Sequence, residues 1–110
     1  MVDPKEYALG KPGAVRDEPW DGDVVAKVGG KIFAFLGDNG IGVKHASKEE
    51  AEEWRQRYPN NVTMMAYIGR HGWNTVKLDG TIPDEEIIEL LDVSYDSVVA
   101  KLPKRLRPEK

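Results

Sequence analysis

The sequence predicts an α+β fold, a two-layer sandwich in which helices pack on one face of an antiparallel β-sheet of about five strands. Three features of the 110 residues indicate this. Two apolar runs are joined by Gly29-Gly30, a pair that suits the tight turn of a β-hairpin. Ser47 and Glu50 form a capping box, the usual start of a helix. Near the end of the chain, apolar residues recur at helical spacing.

The individual elements follow from local signals along the chain. Asp3 and Pro4 suit the N-cap and first position of a short helix that Gly10 ends, and Pro59 and Pro103 end the two later helices. Residues 14–20 are expected to be extended and irregular, without a strand. The expected elements, in order, are a short helix at 3–9, strands at 24–28, 31–36 and 41–44, a helix at 47–57, strands at 62–67 and 73–78, and a long helix at 83–102.

Composition sets limits on the class of protein. Hydrophobic residues make up 40% of the chain and charged residues 32%, which is typical of a globular domain. There is no cysteine, which excludes disulfides, thiolate nucleophiles and cysteine-based metal sites. No apolar run approaches the roughly 20 residues of a membrane span, and the first residues lack the pattern of a secretory signal. We expect one domain over residues 1–110, cytoplasmic and monomeric.

Charge is distributed unevenly along the chain. The formal net charge is −3, which by itself does not favour binding to nucleic acid. The C-terminal segment from Lys101 onward nevertheless carries five basic residues and one acidic residue, and it includes the basic tail at 103–110. Local patches of positive charge, more than the net value, therefore decide whether an anionic partner fits.

No catalytic or cofactor site is recognisable. Neither His45 nor His71 has a carboxylate at a spacing that would orient it. Gly37, Gly40 and Gly42 resemble a phosphate-binding loop, but they lie between strands and suit hairpin turns better. A metal could bind only weakly, at an acidic stripe on the last helix that is otherwise a solvated face: Glu85, Glu89, Asp92 and Asp96. We expect a protein that is not an enzyme and holds no cofactor or metal.

Alternation within the strands suggests a basic surface on the sheet. Side chains of a strand point alternately to its two faces. If helices cover one face, several basic residues and an aromatic one gather on the other, which we call the open face: Lys27, Lys44, Trp73 and Lys77. Arg70 and His71 lie in the loop that leads to Trp73. Lysines that contact phosphates and an aromatic ring that stacks on bases are typical of sequence-tolerant nucleic-acid binding.

A structural interpretation of the same residues stays open. Strand lysines also keep a sheet face soluble, and most tryptophans are largely buried, so Trp73 could instead fill a core. Phe33 and Phe35 share a face with Lys31, opposite a second apolar set. That strand is therefore expected to be central in the sheet and partly covered on both sides.

Several segments in order resemble one family of small bacterial proteins, the MmcQ/YjbR family. The resemblance covers about Tyr7 to Lys104, and it depends on the ordered set more than on any single motif. The segments are Lys11–Ala14, Pro19-Trp20, Lys27–Ala34, Arg70–Val76, Asp79-Gly80, Pro83–Glu86, Ser94-Tyr95 and Ala100–Pro103.

The resemblance implies a fold similar to the frataxin-like CyaY proteins, in an arrangement described as a double wing and linked to DNA binding. It places Arg70, His71, Trp73 and Asn74 in the family's most recognisable segment, and Lys27 and Lys31 around its hairpin. Gly72, between the histidine and the tryptophan, departs from the family pattern. The iron binding of frataxins does not carry over, because the first helix offers only Asp3 and Glu6 as acidic residues.

Two hypotheses about function follow. In the first, the domain binds DNA or single-stranded nucleic acid with little sequence preference, and the basic tail adds contacts. The residues assigned to that interface are Lys27, Lys31, Lys44, Arg70, His71, Trp73, Asn74 and Lys77. In the second, the domain is an adaptor that binds a protein partner or a small acidic ligand around Arg70, His71 and Trp73, since arginine and tryptophan commonly anchor interfaces.

Overall fold

The computed structural model describes residues 3–20 and 22–108, and it has the α+β architecture that the sequence predicts. A six-stranded antiparallel sheet with strand order β1-β2-β3-β4-β6-β5 is covered on one face by helices. No helix within those two ranges is long and apolar enough to span a membrane. The elements are α1 (Pro4–Leu9), β1 (Val15–Trp20), β2 (Asp23–Val28), β3 (Lys31–Leu36), β4 (Gly40–Lys44), α2 (Lys48–Arg57), β5 (Val62–Met64), β6 (Trp73–Lys77) and α3 (Asp84–Val99), with 3₁₀ turns at Gly69–His71 and Lys104–Leu106.

The helix starts match the sequence signals. The Asp3 side chain accepts a hydrogen bond from the Lys5 amide at the start of α1, with proline in the first turn. The Ser47 hydroxyl accepts from the Glu50 amide at 3.1 Å, as expected of the capping residue of α2. Both caps satisfy amides that the helix itself leaves without partners. The predicted beginnings of these two helices are therefore confirmed.

The core lies between the sheet and α3. Leu90 and Leu91 of α3 pack against a sheet face that includes Ala34, Val43 and Val76, and each of these residues is at most 2% exposed. The apolar stripe of α3 supplies this contact, and α1 packs beside it. Burial of such side chains contributes about 1.5–3 kcal/mol each, so this layer holds most of the fold's stability.

The sheet has one more strand than the sequence indicates. Residues Val15–Trp20 form β1, an edge strand that pairs with β2, although this stretch was expected to be irregular. Val15 is 61% exposed and Trp20 is 55% exposed, because no helix covers either of them. A strand that is exposed on both faces needs no apolar alternation, so the periodic signal of a strand is missing there.

Phe33 and Phe35 point to opposite faces, contrary to simple alternation. Ala26 pairs with Ala34 whereas Lys27 pairs with Ile32, so β3 carries one extra residue, a β-bulge at Phe33. The Phe33 ring meets the Tyr95 ring of α3 edge-on at 5.1 Å between centroids. Phe35 keeps its place on the open face. The prediction that β3 is an internal strand of the sheet is confirmed.

Candidate functional site

A cleft of about 400 Å³ opens at one end of the sheet. There β3 begins, β4 ends, and α3 gives way to the C-terminal segment. Three lysines reach it from these three elements: Lys31, Lys44 and Lys101. The rest of the lining is apolar apart from Gly29 and consists of Ile32, Trp73, Val98, Leu102, Pro103 and Leu106. We call this the sheet-end cleft.

Among residues 3–20 and 22–108, no carboxylate neutralises the positive charge of the sheet-end cleft. No acidic residue of those ranges lines the cleft, and none of its three lysines forms an ion pair within them. The Lys44 and Lys101 amines lie within hydrogen-bonding reach of each other. Burial, and then the Lys101 charge, lower the pKa of Lys44 to about 8. Two close amines in an apolar cleft form a favourable site for an anion.

Ser94 fixes the backbone of Lys44 from the helix side. Its buried hydroxyl accepts a hydrogen bond from the Lys44 amide at 2.8 Å and donates one to the Phe33 carbonyl. These two backbone groups lie just beyond Ala34–Val43, the last pair of the β3–β4 ladder. The hydroxyl therefore bridges the strands where their own hydrogen bonding stops, and it positions Lys44 at the cleft.

Trp73 is a wall of the cleft with little free surface. It is 8% exposed, and its ring packs edge-on against Phe35 at 5.6 Å between centroids. A base that stacks on an aromatic side chain needs an open ring face. Of the two interpretations that the sequence left open for Trp73, burial favours the structural one, because Phe35 covers a part of the ring.

Lys27 and Lys77 lie on the open face, as alternation predicts, but outside the cleft. Lys27 forms an ion pair with Asp17 at 2.8 Å, which offsets its charge. Lys77 is paired with Gly40, whereas Lys44 is paired with Trp73 at the other end of the same two strands. At roughly 3.4 Å per residue, the two lysines are separated by about 13 Å along the sheet. The lysines of the predicted nucleic-acid interface are therefore divided, and of the four only Lys31 and Lys44 line the same cleft.

Arg70 and His71 are exposed in the loop before β6. They belong to the 3₁₀ turn Gly69–His71, and the Arg70 Nε donates to the His71 Nε2 at 3.3 Å. Gly72 ends this turn at a φ of 90°, a conformation that suits glycine, and its carbonyl accepts from the His45 amide. The residue that departs from the family pattern is thus required by the turn into β6.

The same loop exposes an aromatic residue that the sequence did not single out. Tyr67 is 96% exposed, and its φ of 66° is the only positive value of a non-glycine residue in residues 3–20 and 22–108. Residues 62–67 were expected to form one strand, but β5 ends at Met64 because the chain turns here. Exposed aromatic residues in strained loops are common at binding surfaces.

Asn74 is fully buried beneath α2 and cannot contact a ligand. Its Oδ1 accepts from the Arg55 guanidinium at 2.8 Å, and its Nδ2 donates to the Ala51 carbonyl and to His45 Nε2, both at 2.9 Å. The Arg55 contact fixes the orientation of the Asn74 amide, so Nδ2 is the group that faces His45 Nε2. Because Nδ2 donates, Nε2 accepts, and the neutral His45 ring carries its proton on Nδ1. Asn74 must therefore be removed from the predicted interface, because its amide stabilises the packing of α2 on the sheet.

Protonation of His45 makes the stability of the fold depend on pH. Burial, and then the nearby Arg55 charge, lower its pKa to about 4, below an ordinary value of 6.5. The unfolded chain therefore binds the proton more readily, and the free energy of unfolding should decrease by about 2 kcal/mol as the pH falls from 6.5 to 4. Urea denaturation at pH 7 and pH 4.5 measures this loss.

Variants of the two histidines separate this effect from the titration of carboxylates. His45→Gln should lose less stability between these pH values than the wild type. His71→Gln should behave as the wild type does, since His71 is exposed. An equal loss in all three proteins would show that His45 is not the group responsible.

Two residues of the site could have been found in the sequence by closer attention to α3. Ser94 lies within the apolar stripe, three residues after Leu91 and four before Val98, and a lone hydroxyl on a buried helix face usually has a backbone partner. Lys101 follows Val98 by three residues and so lies on the same side of the helix end. The C-terminal segment from Lys101 onward was expected to add contacts, and Lys101 is the basic residue of that segment that lines the cleft.

Comparison with known proteins gives consistent matches across the chain. A sequence model of the YjbR family matches residues 9–97. The uncharacterised protein YjbR of Escherichia coli K12 is 30% identical over 106 residues, which cover 93% of this chain and 89% of that protein.

Two solved structures share the fold. The crystal structure of Deinococcus radiodurans DR2400, described with a DUF419 domain, has a TM-score of 0.83 and 28% identity and covers 94% of this chain and 81% of its own. A protein from Pseudomonas syringae has a TM-score of 0.67 at 22% identity, over 86% of this chain and 96% of its own, a likeness of fold alone. The length of the sequence match and the agreement in fold lead to one conclusion: this chain belongs to the YjbR family.

Proposed function

We propose that this chain is a binding protein, without catalytic activity, that holds nucleic acid with little sequence preference through Lys31, Lys44 and Lys101. The observation that carries the proposal is that three lysines line the sheet-end cleft with no carboxylate of the described residues beside them, in a chain of net charge −3. Lysine contacts to phosphates are independent of base sequence and supply most of the affinity in such complexes. Arg70 and His71 lie in the loop that leads to Trp73, which lines the cleft, and they would extend the contact with the nucleic acid.

A single strand suits this cleft better than a duplex. The cleft is concave and apolar between its lysines, and a flexible strand can place a phosphate or a base inside it. A duplex presents a stiff and convex backbone. Reading of base edges needs donors and acceptors arranged along a groove, and the three lysines supply charge without such a pattern. The expected ligand is therefore single-stranded DNA or RNA.

Salt dependence tests the proposal directly. A labelled single-stranded oligonucleotide is titrated with the protein at rising salt, and binding is followed by fluorescence anisotropy. With three lysines on phosphates of a single strand, log affinity should fall against log salt with a slope of about −2. Replacing any one of the three lysines with glutamine should weaken binding equally for all sequences and reduce the slope by about 0.7.

Three control variants locate the surface. Lys48→Gln changes an exposed lysine on α2, away from the sheet-end cleft, and should leave binding unchanged. Lys27→Gln and Lys77→Gln should also have little effect, because both lysines lie outside the cleft. Loss of binding in the Lys27 and Lys77 variants, with normal binding in the cleft variants, would move the site to the part of the sheet around Lys27 and Lys77. No binding even at low salt would exclude nucleic acid.

One observation favours a second candidate, an adaptor that binds a protein partner. Tyr67 projects from the loop before β6 with Arg70 three residues away, and tyrosine and arginine are frequent anchors of protein interfaces. The salt experiment separates the two candidates. A contact centred on Tyr67 would depend little on salt and would tolerate all three cleft variants.

A further inference from the structure

We propose that the sheet-end cleft selects a phosphate monoester, such as the 5′-terminal phosphate of a nucleic-acid strand, over an internal phosphodiester. The inference rests on the proposed function, since it names the part of the nucleic acid that occupies the cleft. Two observations carry it. The Lys44 and Lys101 amines interact with each other, and the residues that line the cleft around its lysines are apolar apart from Gly29.

The charge of the lysines matches a monoester. An internal phosphodiester carries a single negative charge. A monoester carries a charge of about −1.5 to −2 at neutral pH and has three terminal oxygens that accept hydrogen bonds. Lys44 and Lys101 together require close to two negative charges for neutrality, and Lys31 adds a third donor at the same cleft. A terminal phosphate can therefore neutralise both amines, whereas an internal phosphodiester can neutralise only one of them.

The shape of the cleft also favours a chain end. Leu102 packs directly on the Gly29 turn, so that a Cβ placed on Gly29 would lie 2.6 Å from Leu102 Cδ1. This contact closes the cleft on the side of the β2–β3 hairpin. The volume of the cleft, about 400 Å³, falls in the range of small-ligand sites and is large enough for one nucleotide. Ile32, Val98 and Leu106 offer apolar contact for the sugar and base.

Protonation of Lys44 gives the complex a characteristic pH dependence. The charged groups of the cleft that face Lys44 are Lys101, beyond the end of α3, and Lys31 of β3. The Lys101 amine disfavours the protonated form of Lys44 in the free protein, whereas a bound phosphate favours it. Binding should therefore take up a proton, and affinity should decrease as the pH rises above about 8.

Paired oligonucleotides test the inference. Two strands of identical sequence carry a 3′ label and either a 5′-phosphate or a 5′-hydroxyl, and their affinities are compared at pH 7 and pH 9. The phosphorylated strand should bind about tenfold more tightly at pH 7, the effect of one added charge near two amines. The advantage should shrink at pH 9. Thymidine 5′-monophosphate should compete for the site, and thymidine should not.

Variants and outcomes keep the two proposals distinct. Lys101→Gln, at an exposed position, and Lys44→Gln should each remove the advantage of the 5′-phosphate, and Lys48→Gln should keep it. Equal affinity of the wild type for both strands would overturn the monoester inference. The proposed function would still hold if that binding depended on salt and was lost in the Lys44→Gln variant. Direct binding of thymidine 5′-monophosphate to the protein, with no binding of either strand, would overturn the proposed function and support the monoester site.

Discussion

Replacing Ser94 with alanine should lower the free energy of unfolding by about 3 kcal/mol. The Ser94 hydroxyl is fully buried and serves two backbone groups, the Lys44 amide and the Phe33 carbonyl. Alanine fits the same space and is a better helix former, so steric strain and helix propensity do not contribute to the loss. The cost comes from two buried backbone groups left without partners, and urea denaturation measures it.

Ser97 provides the matched control for this experiment. It lies on the same helix, three residues later, at a half-buried position. Ser97→Ala makes the same chemical change without removing the bridge between strands, and it should alter stability by less than about 0.5 kcal/mol. Similar effects of the two substitutions would mean that the strands recover their hydrogen bonds without the Ser94 hydroxyl.

Replacing Asn74 with alanine should also cost about 3 kcal/mol, through a different mechanism. The amide joins three groups beneath α2: the Arg55 guanidinium, the His45 ring and the Ala51 carbonyl. Its removal leaves a charged group without its partner at the boundary of the core and detaches α2 from β6. Thermal and urea denaturation should both record the loss.

The neighbouring Thr75 serves as the control for Asn74. Thr75 is exposed on the open face of the same strand, so Thr75→Ala should change stability by less than about 0.5 kcal/mol. A loss below 1 kcal/mol for Asn74→Ala would indicate that water replaces the amide in this network. A double variant with His45→Gln then measures the coupling within the network, which should be non-additive because the two residues share a hydrogen bond.

The sequence was sufficient to predict the secondary-structure elements whose signals are local. The Gly29-Gly30 pair gave the hairpin turn, and both glycines have positive φ values there. Ser47 gave the start of α2, and the apolar stripe gave α3. In each case, the residues that define the element are close together in the chain, so their physical effect can be evaluated before any tertiary contact forms.

Features that depend on pairing between distant residues were not accessible in the same way. β1 exists because β2 offers it a partner, and its exposed side chains carry no apolar pattern. The bulge at Phe33 follows from the register between β2 and β3, and it alone reverses the direction of that side chain. A shift of one residue in pairing changes the face of every side chain beyond it, and composition does not reveal such a shift.

The same limit applies to the candidate site. Alternation placed Lys27, Lys44 and Lys77 on the open face, but it gave no distances along the strands. The neighbours Lys44 and Lys101 are 57 positions apart in the chain, and only the fold joins them. The opposite burial of Trp73 and Tyr67 likewise depends on which rings find partners in the folded protein.

The contact of Leu102 with the Gly29 turn links the sheet-end cleft to local unfolding. One wall of the cleft is the short segment after α3, which Arg107 holds by hydrogen bonds to the Leu102 and Ala100 carbonyls. Short surface segments held by few hydrogen bonds open at a lower free energy than the core does, so we expect this one to detach while the sheet stays intact. A ligand that bridges Lys44 and Lys101 would fasten the segment to the sheet. Its rate of release would then follow the opening of the C-terminal segment, and the amides there would exchange hydrogen more slowly when the cleft is filled.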